Sequence, residues 1–361
     1  MDPAFSTARG AAAFGALVAI LLAAPAVVAE LDVLDRSEVY PTLPTYAGPI
    51  SHIHRQIFEE DGELDVVFVG SSLMWSAIDA PYVQETLSTH LGRPASVTVM
   101  ASVWPGLDRD YAFLRDLLDR RRVGMVVLQF PNRERPTIDP AVDINRPADE
   151  PHVQAFRLFR AGEFPELSLA LPPRYRASLY AGAVLGLPRH VLTLIRTDRL
   201  ALSGYEETLG ARFQTTGYYG APFEVFRPEP PRIDPAELIY SEGSPSYQFF
   251  DEPFPSYQLH FARLIGALLA EHDLPAVLLH VPQANEIDAT TVEERMHWLE
   301  ATGIEASMVG VPPTRLFEGF SVGDTHRFFA SDHLNENGAI YFTRVVTPAL
   351  LRVFDESATS P

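Results

Sequence analysis

Leu64-Asp65-Val66-Val67-Phe68-Val69-Gly70-Ser71-Ser72 is the stretch on which the fold turns. It is a short, valine-rich run that stops at a glycine followed by serines, as a strand buried inside a parallel sheet does where it runs into a tight turn. Outward from it, residues 81–90 have helical composition and residues 95–100 (ASVTVM) are strand-like. Residues 109–121 (RDYAFLRDLLDRR) carry apolar side chains at helical spacing, and residues 124–130 (GMVVLQF) form a third strand. Strand, helix, strand, helix, strand in this order implies right-handed crossovers and a parallel sheet covered on both faces.

The rhythm is lost from Pro131 to about Ser256, among proline-rich loops such as RPEPPRIDP and the helix-like RYRASLYAGAVLG. We read about 133–256 as an insertion that shapes a cleft. The pattern then resumes with a helix near 257–272, a strand at 276–281 (AVLLHV), a helix around 292–302, a last strand at 306–311 and a C-terminal helix from about Asn335. The expected fold is therefore an α/β three-layer sandwich of flavodoxin-like character, with a central parallel sheet of about five strands. Residues 31–361 are read as one domain carrying the insertion. No internal repeat interrupts this reading.

Composition narrows the function. A net charge of −19 offers no basic surface, so a nucleic-acid partner is excluded. The 28 basic residues are all arginine, which removes lysine chemistry, and the absence of cysteine removes thiolate nucleophiles, disulfides and cysteine metal sites. Near the amino end, residues 11–29 (AAAFGALVAILLAAPAVVA) carry no charge, follow Arg9 and end in small residues before Glu30. They read as an export signal, either a cleaved signal peptide or an uncleaved anchor, so residues 1–30 are set apart and the rest is expected outside the cytoplasm: membrane-anchored and facing outward, periplasmic or secreted.

In an open parallel sheet, ligands lie at the carboxyl ends of the strands. Ser72 sits on the turn after the first strand, where a hydroxyl is exposed and its own N–H faces any oxyanion that forms, although Ser71 or Ser72 also suits a helix cap. Gly106, in ASVWPGLD after the second strand, has the backbone freedom to bring an N–H to a ligand. Asn132, after the third, can donate an amide hydrogen or simply make a turn. Near the carboxyl end, FFASDHLNENGA places His333 just before a helix, where an imidazole can act as a general base.

The order Ser72, Gly106, Asn132, His333 and the motif HLNENGA resemble the SGNH/GDSL hydrolases. Gly70-Ser71-Ser72 is similar to that family's GDS block, Asn132 to its oxyanion asparagine and His333 to its histidine. The resemblance covers residues 64–132 and 259–353 and lies nearest to membrane-anchored members similar to DltD and the alginate O-acetyltransferase proteins. It implies Ser72 as nucleophile, His333 as base and an oxyanion hole from Ser72, Gly106 and Asn132. The reaction implied is hydrolysis or transfer of an acyl group, acetyl above all, on a cell-envelope or exopolysaccharide ester. Neither cofactor nor metal is implied. The partners implied are an acylated carbohydrate or acyl donor and a membrane-bound O-acyltransferase.

One departure bears on mechanism. The family's block reads Asp-x-x-His, and the residue three before His333 is Ala330, so the acid that orients the imidazole is missing from its place. Asp332 and Asp324 are the candidate substitutes. The alternatives are loss of activity, natural or through a change at position 330, leaving an SGNH-fold carbohydrate-binding or assembly protein. Tyr218, Tyr219, Tyr247, Phe249 and Phe250 would then stack on sugar rings, unless they belong to the core. A secreted lipase or thioesterase would need a deep apolar tunnel. Asp324, His326, Asp332 and His333 also form two Asp/His pairs, but at spacings that match no known ligand pattern, so we expect no metal.

Overall fold

Strand β1 (Leu64–Gly70) is buried along its whole length, with Phe68 and Val67 fully shielded from water, and the sheet is built outward from it. In the computed structural model, residues 7–30, 36–40, 49–102, 106–130, 225–250, 256–295 and 303–359 are described. The chain divides into two units, Met1–Leu43 with Pro140–Arg199, and Pro44–Asp139 with Leu200–Pro361. In the first unit, helix α1 (Ala8–Glu30) takes in the uncharged run, and the short α2 (Arg36–Val39) follows. Side chains of α1 beyond residue 20 lie outside the described ones; among the described residues no helix is long and apolar enough to cross a membrane.

The second unit holds the sheet. Strands β2 (Val97–Ala101), β3 (Val123–Gln129), β5 (Ala276–Leu279) and β7 (Ala306–Val309) join β1 in a five-stranded sheet of order β2-β1-β3-β5-β7. Every pairing is parallel, with Phe68 in register with Val99 on one side and Val127 on the other. Counted along the sheet this is the 2-1-3-4-5 order of flavodoxin-like folds, and its direction reverses between β1 and β3.

That reversal distributes the helices. With right-handed crossovers, α5 (Ala80–Leu91), between β1 and β2, must cover the face opposite to α6 (Leu107–Leu118), between β2 and β3. Helices α3 (Ile50–Phe58) and α7 (Ser256–Glu271) pack on α6, whereas the C-terminal helix α8 (Glu336–Thr359) packs on α5 and on the short α4 (Ser72–Ala77). The core on the α8 side joins Phe68, Val99 and Val127 of the sheet to Phe328, Phe342 and Val346. Each fully buried side chain of this size contributes about 1.5–3 kcal/mol.

One sequence expectation gives way here. The helix expected around 292–302 is instead strand β6 (Val292–Arg295) over its first residues; residues 296–302 lie outside the described ones. β6 pairs in parallel with β4 (Tyr247–Phe250), and Val292 N donates to Ser246 O, so a tertiary partner overrides the helical composition. Of the stretch read as an insertion, the described part, 225–250, packs on the sheet unit. Leu238 lies in the core, Ile239 bridges to Val309, and Tyr247 is buried with its hydroxyl donating to Leu238 O. Tyr247 and Phe249 pack edge-on against Tyr240, so Tyr247 is a core residue and not a free sugar platform. Tyr218, Tyr219 and the helix-like RYRASLYAGAVLG lie outside the described residues.

Candidate active site

The turn after β1 is set by its residue types. Ser71 is the N-cap of α4, in extended conformation, and its Oγ accepts from Leu73 N at 3.2 Å, so the cap belongs to Ser71 and leaves the Ser72 hydroxyl available. Ser72 opens the helix and is partly exposed. Its Oγ lies 2.8 Å from His333 Nε2, across 261 residues of sequence.

His333 begins strand β9 (His333–Leu334), which pairs antiparallel with β8 (Phe329–Ala330) through the register Ala330 to His333 and Phe329 to Leu334. The connection is a two-residue turn, Ser331-Asp332, and Ser331 takes a left-handed φ of 59°. This sharp reversal brings the Asp332 carboxylate back on the neighbouring ring, with Oδ1 2.7 Å from His333 Nδ1. A carboxylate can only accept, so Nδ1 carries the hydrogen and Nε2 is left to accept the Ser72 hydroxyl proton. The His333 side chain is 9% exposed and that of Asp332 19%, which keeps the pair in a poorly screened setting.

Of the two substitute acids, then, Asp332 stands beside the imidazole. Asp324 sits on another turn, where its carboxylate accepts from Ser321 Oγ at 2.7 Å and lies 3.8 Å from Arg327. Among the described residues no group of three or more His, Asp or Glu is placed to hold a metal ion.

The motif HLNENGA acts as a fastening. Asn335 precedes the first residue of α8; its Oδ1 accepts from Gly338 N at 3.1 Å, capping the helix, and its Nδ2 donates to the carbonyls of Arg327 and Phe329. Asn337 adds a bond to Arg327 O and accepts from Phe226 N. Gly338 must be glycine: a Cβ there would lie 2.3 Å from Phe328 O. Farther along α8, Thr343 Oγ1 donates to Ala77 O at 3.0 Å and accepts from Asp79 N at 2.9 Å. The helix that follows the histidine is thereby bonded to the end of the helix that begins with the serine.

The N–H groups in the first turn of α4 have no acceptors within the helix, which makes them candidate donors for an oxyanion. Leu73 N is taken by Ser71 Oγ, and Met74 N by Gln129 Oε1 at 3.4 Å. The Ser72 N–H has no partner among the described residues. Gly106 is the N-cap of α6, at the carboxyl side of β2, the neighbour of β1; its backbone is extended and its carbonyl accepts from Arg109 N and Asp110 N. Asn132 lies outside the described residues.

Gln129, the last residue of β3, is a site residue that sequence reasoning missed. Its Oε1 also accepts from Ser71 N and Ser71 Oγ, each at 2.8 Å. The available signal was a polar residue ending an otherwise apolar strand beside the β1 turn. Searches against models of protein families, curated proteins and solved structures gave no match to this chain.

Proposed function

We propose that this protein is a serine-dependent ester hydrolase or O-acyltransferase of SGNH type that works outside the cytoplasm. The observation that carries the reading is the hydrogen-bonded line Ser72 Oγ, His333 Nε2, His333 Nδ1, Asp332 Oδ1, with separations of 2.8 and 2.7 Å. These are a nucleophile, a base and an orienting acid in their working order.

In this mechanism the Ser72 oxygen bonds to the acyl carbon while its proton passes to His333 Nε2, and Asp332 stabilises the imidazolium. The carbonyl oxygen becomes an oxyanion, which the Ser72 N–H stabilises. Gly106 and Asn132 are the further donors proposed from the family resemblance. The intermediate collapses as the bond to the leaving alkoxide breaks and His333 returns the proton to it, leaving an acyl-serine. A second hydroxyl, of water or of a sugar, then gives its proton to His333 as its oxygen bonds to the acyl carbon; the bond from that carbon to the Ser72 oxygen breaks and His333 returns the proton to Ser72. Water yields the free acid; a sugar yields an O-acyl carbohydrate. The uncharged run within α1 supports export, and export favours cell-envelope or exopolysaccharide esters, with a membrane-bound O-acyltransferase as the source of acyl groups in the transfer case.

The reading as an inactive binding protein rested on Ala330. The hydrogen bond from His333 to Asp332 supports the catalytic reading over that one. The test is turnover of a chromogenic acetyl ester by the full chain and by Ser72→Ala. The expected result is hydrolysis abolished in Ser72→Ala with its melting temperature unchanged. Equal turnover by the two proteins would sink the reading.

A further inference from the structure

We propose that Gln129 is the positioning residue of the nucleophile turn, holding Ser71 so that Ser72 meets His333. This rests on Ser72 being the nucleophile. The geometry is specific to an acceptor at this point. One oxygen, Gln129 Oε1, takes the Ser71 N–H at 2.8 Å, the Ser71 hydroxyl at 2.8 Å and the Met74 N–H at 3.4 Å. With its own hydrogen given to Gln129, the Ser71 Oγ presents a lone pair to Leu73 N at 3.2 Å. The first-turn donors on either side of Ser72 are therefore occupied, directly or through Ser71, by one carboxamide from the neighbouring strand.

Space agrees with the bonding. A Cβ on Gly70 would lie 2.6 Å from Gln129 Cβ and 2.8 Å from Gln129 Oε1, so glycine ends β1 because the carboxamide occupies that volume. Gln129 also stands at the right place in the topology, since β1 and β3 meet where the strand order reverses, the position at which open α/β sheets bind ligands. A turn held this way fixes the Ser72 oxygen to within the fraction of an ångström that proton transfer to His333 demands, and displacement by about 1 Å costs roughly 100-fold in rate.

The test follows Ser72 modification in the full chain by a fluorophosphonate: the Ser72 oxygen bonds to phosphorus, fluoride leaves, and the proton goes to His333. Gln129→Met keeps the volume and loses the acceptor; Gln129→Asn keeps the amide and draws it back; Gln129→Glu keeps an acceptor oxygen in place. The expected rates fall roughly 10- to 100-fold in Gln129→Met and Gln129→Asn and recover most of that loss in Gln129→Glu. On an acetyl ester kcat falls while KM holds. Combining Gln129→Met with Ser71→Ala should cost less than the product of the two single effects, because they share a bond. A wild-type rate in folded Gln129→Met or Gln129→Asn overturns the role of Gln129 and leaves the serine mechanism standing. A folded wild type that never reacts at Ser72 overturns both.

Discussion

Asp332 and His333 are consecutive in the chain, yet the carboxylate of one meets Nδ1 of the other at 2.7 Å, because the Ser331-Asp332 turn folds the acid back over the ring. Position 330 lies directly across the same two-stranded pairing from His333. Opposed side chains on paired strands stand about 5 Å apart at Cβ, so a carboxylate at either position is within reach of the imidazole, and the one present is that of Asp332.

This makes the acid movable. Asp332→Asn should lower kcat for ester hydrolysis roughly 100- to 10,000-fold while the fold persists. Adding Ala330→Asp to that variant should return at least about tenfold of the loss, whereas Ala330→Asp alone should bring no gain, since Nδ1 is already occupied. A large gain from Ala330→Asp alone would show that Asp332 is not the working acid.

The turn itself is testable at Ser331. Its left-handed backbone suits glycine and penalises a β-branched side chain by about 1–2 kcal/mol. Ser331→Gly should keep full activity and melt no lower than wild type, while Ser331→Val should melt lower and lose ester turnover disproportionately. Calorimetry and steady-state kinetics on the same samples separate the two effects.

Gly338 predicts a steric failure. Its missing Cβ is replaced by close contacts to Phe328 O and Leu334, the residue after His333. Gly338→Ala should cost about 1–3 kcal/mol of stability, because backbone has to shift, and should slow Ser72 modification by displacing β9. A variant with unchanged melting and unchanged labelling would contradict the packing described.

Two buried groups give stability opposite slopes with pH. Asp110 is pushed up to about 7, chiefly by burial, with Arg109 opposing and Asp108 adding to the rise. Its raised value means that the stability it contributes is present below the ordinary carboxylate range near 3.8 and is lost as pH climbs to about 7. Asp110→Asn should therefore gain on wild type steadily over that interval. His52 is pulled down to about 3, by burial and then by Arg55, and its neutral ring bonds Thr98 Oγ1 at 3.1 Å. Its contribution is complete above about 6.5 and is lost as pH falls toward 3, so His52→Gln should flatten the acid limb of the melting curve. Melting scans from about pH 3 to 8 check both signs.

Much of the fold was legible because β1, β3 and β5 are buried over most of their length and so read as nearly continuous apolar runs, interrupted by Asp65 in β1 and ended by Gln129 in β3. Ser72 and His333 were legible as residues placed after a strand and before a helix. Val292–Arg295 was not, because its strand character comes from Tyr247–Phe250, distant in sequence. Asp332 was legible only as one of two candidates, since the choice depends on the sign of φ at Ser331. Gln129 escaped notice because one polar residue at a strand end has no local signature; its meaning lies in the donors of Ser71 and Met74, which only the sheet brings to it.

The hydroxyl of Thr343, shared between Ala77 and Asp79, also makes the site depend on two segments far apart in the chain. The partners lie 264 and 266 residues apart, so synthesis must pass residue 343 before they meet. Until α8 docks, Ser72 lacks its His333 contact and the end of α4 lacks its bond to Thr343. The Ser72 to His333 contact therefore depends on a segment more than 260 residues away in sequence, and a chain that stops short of it lacks the pairing altogether.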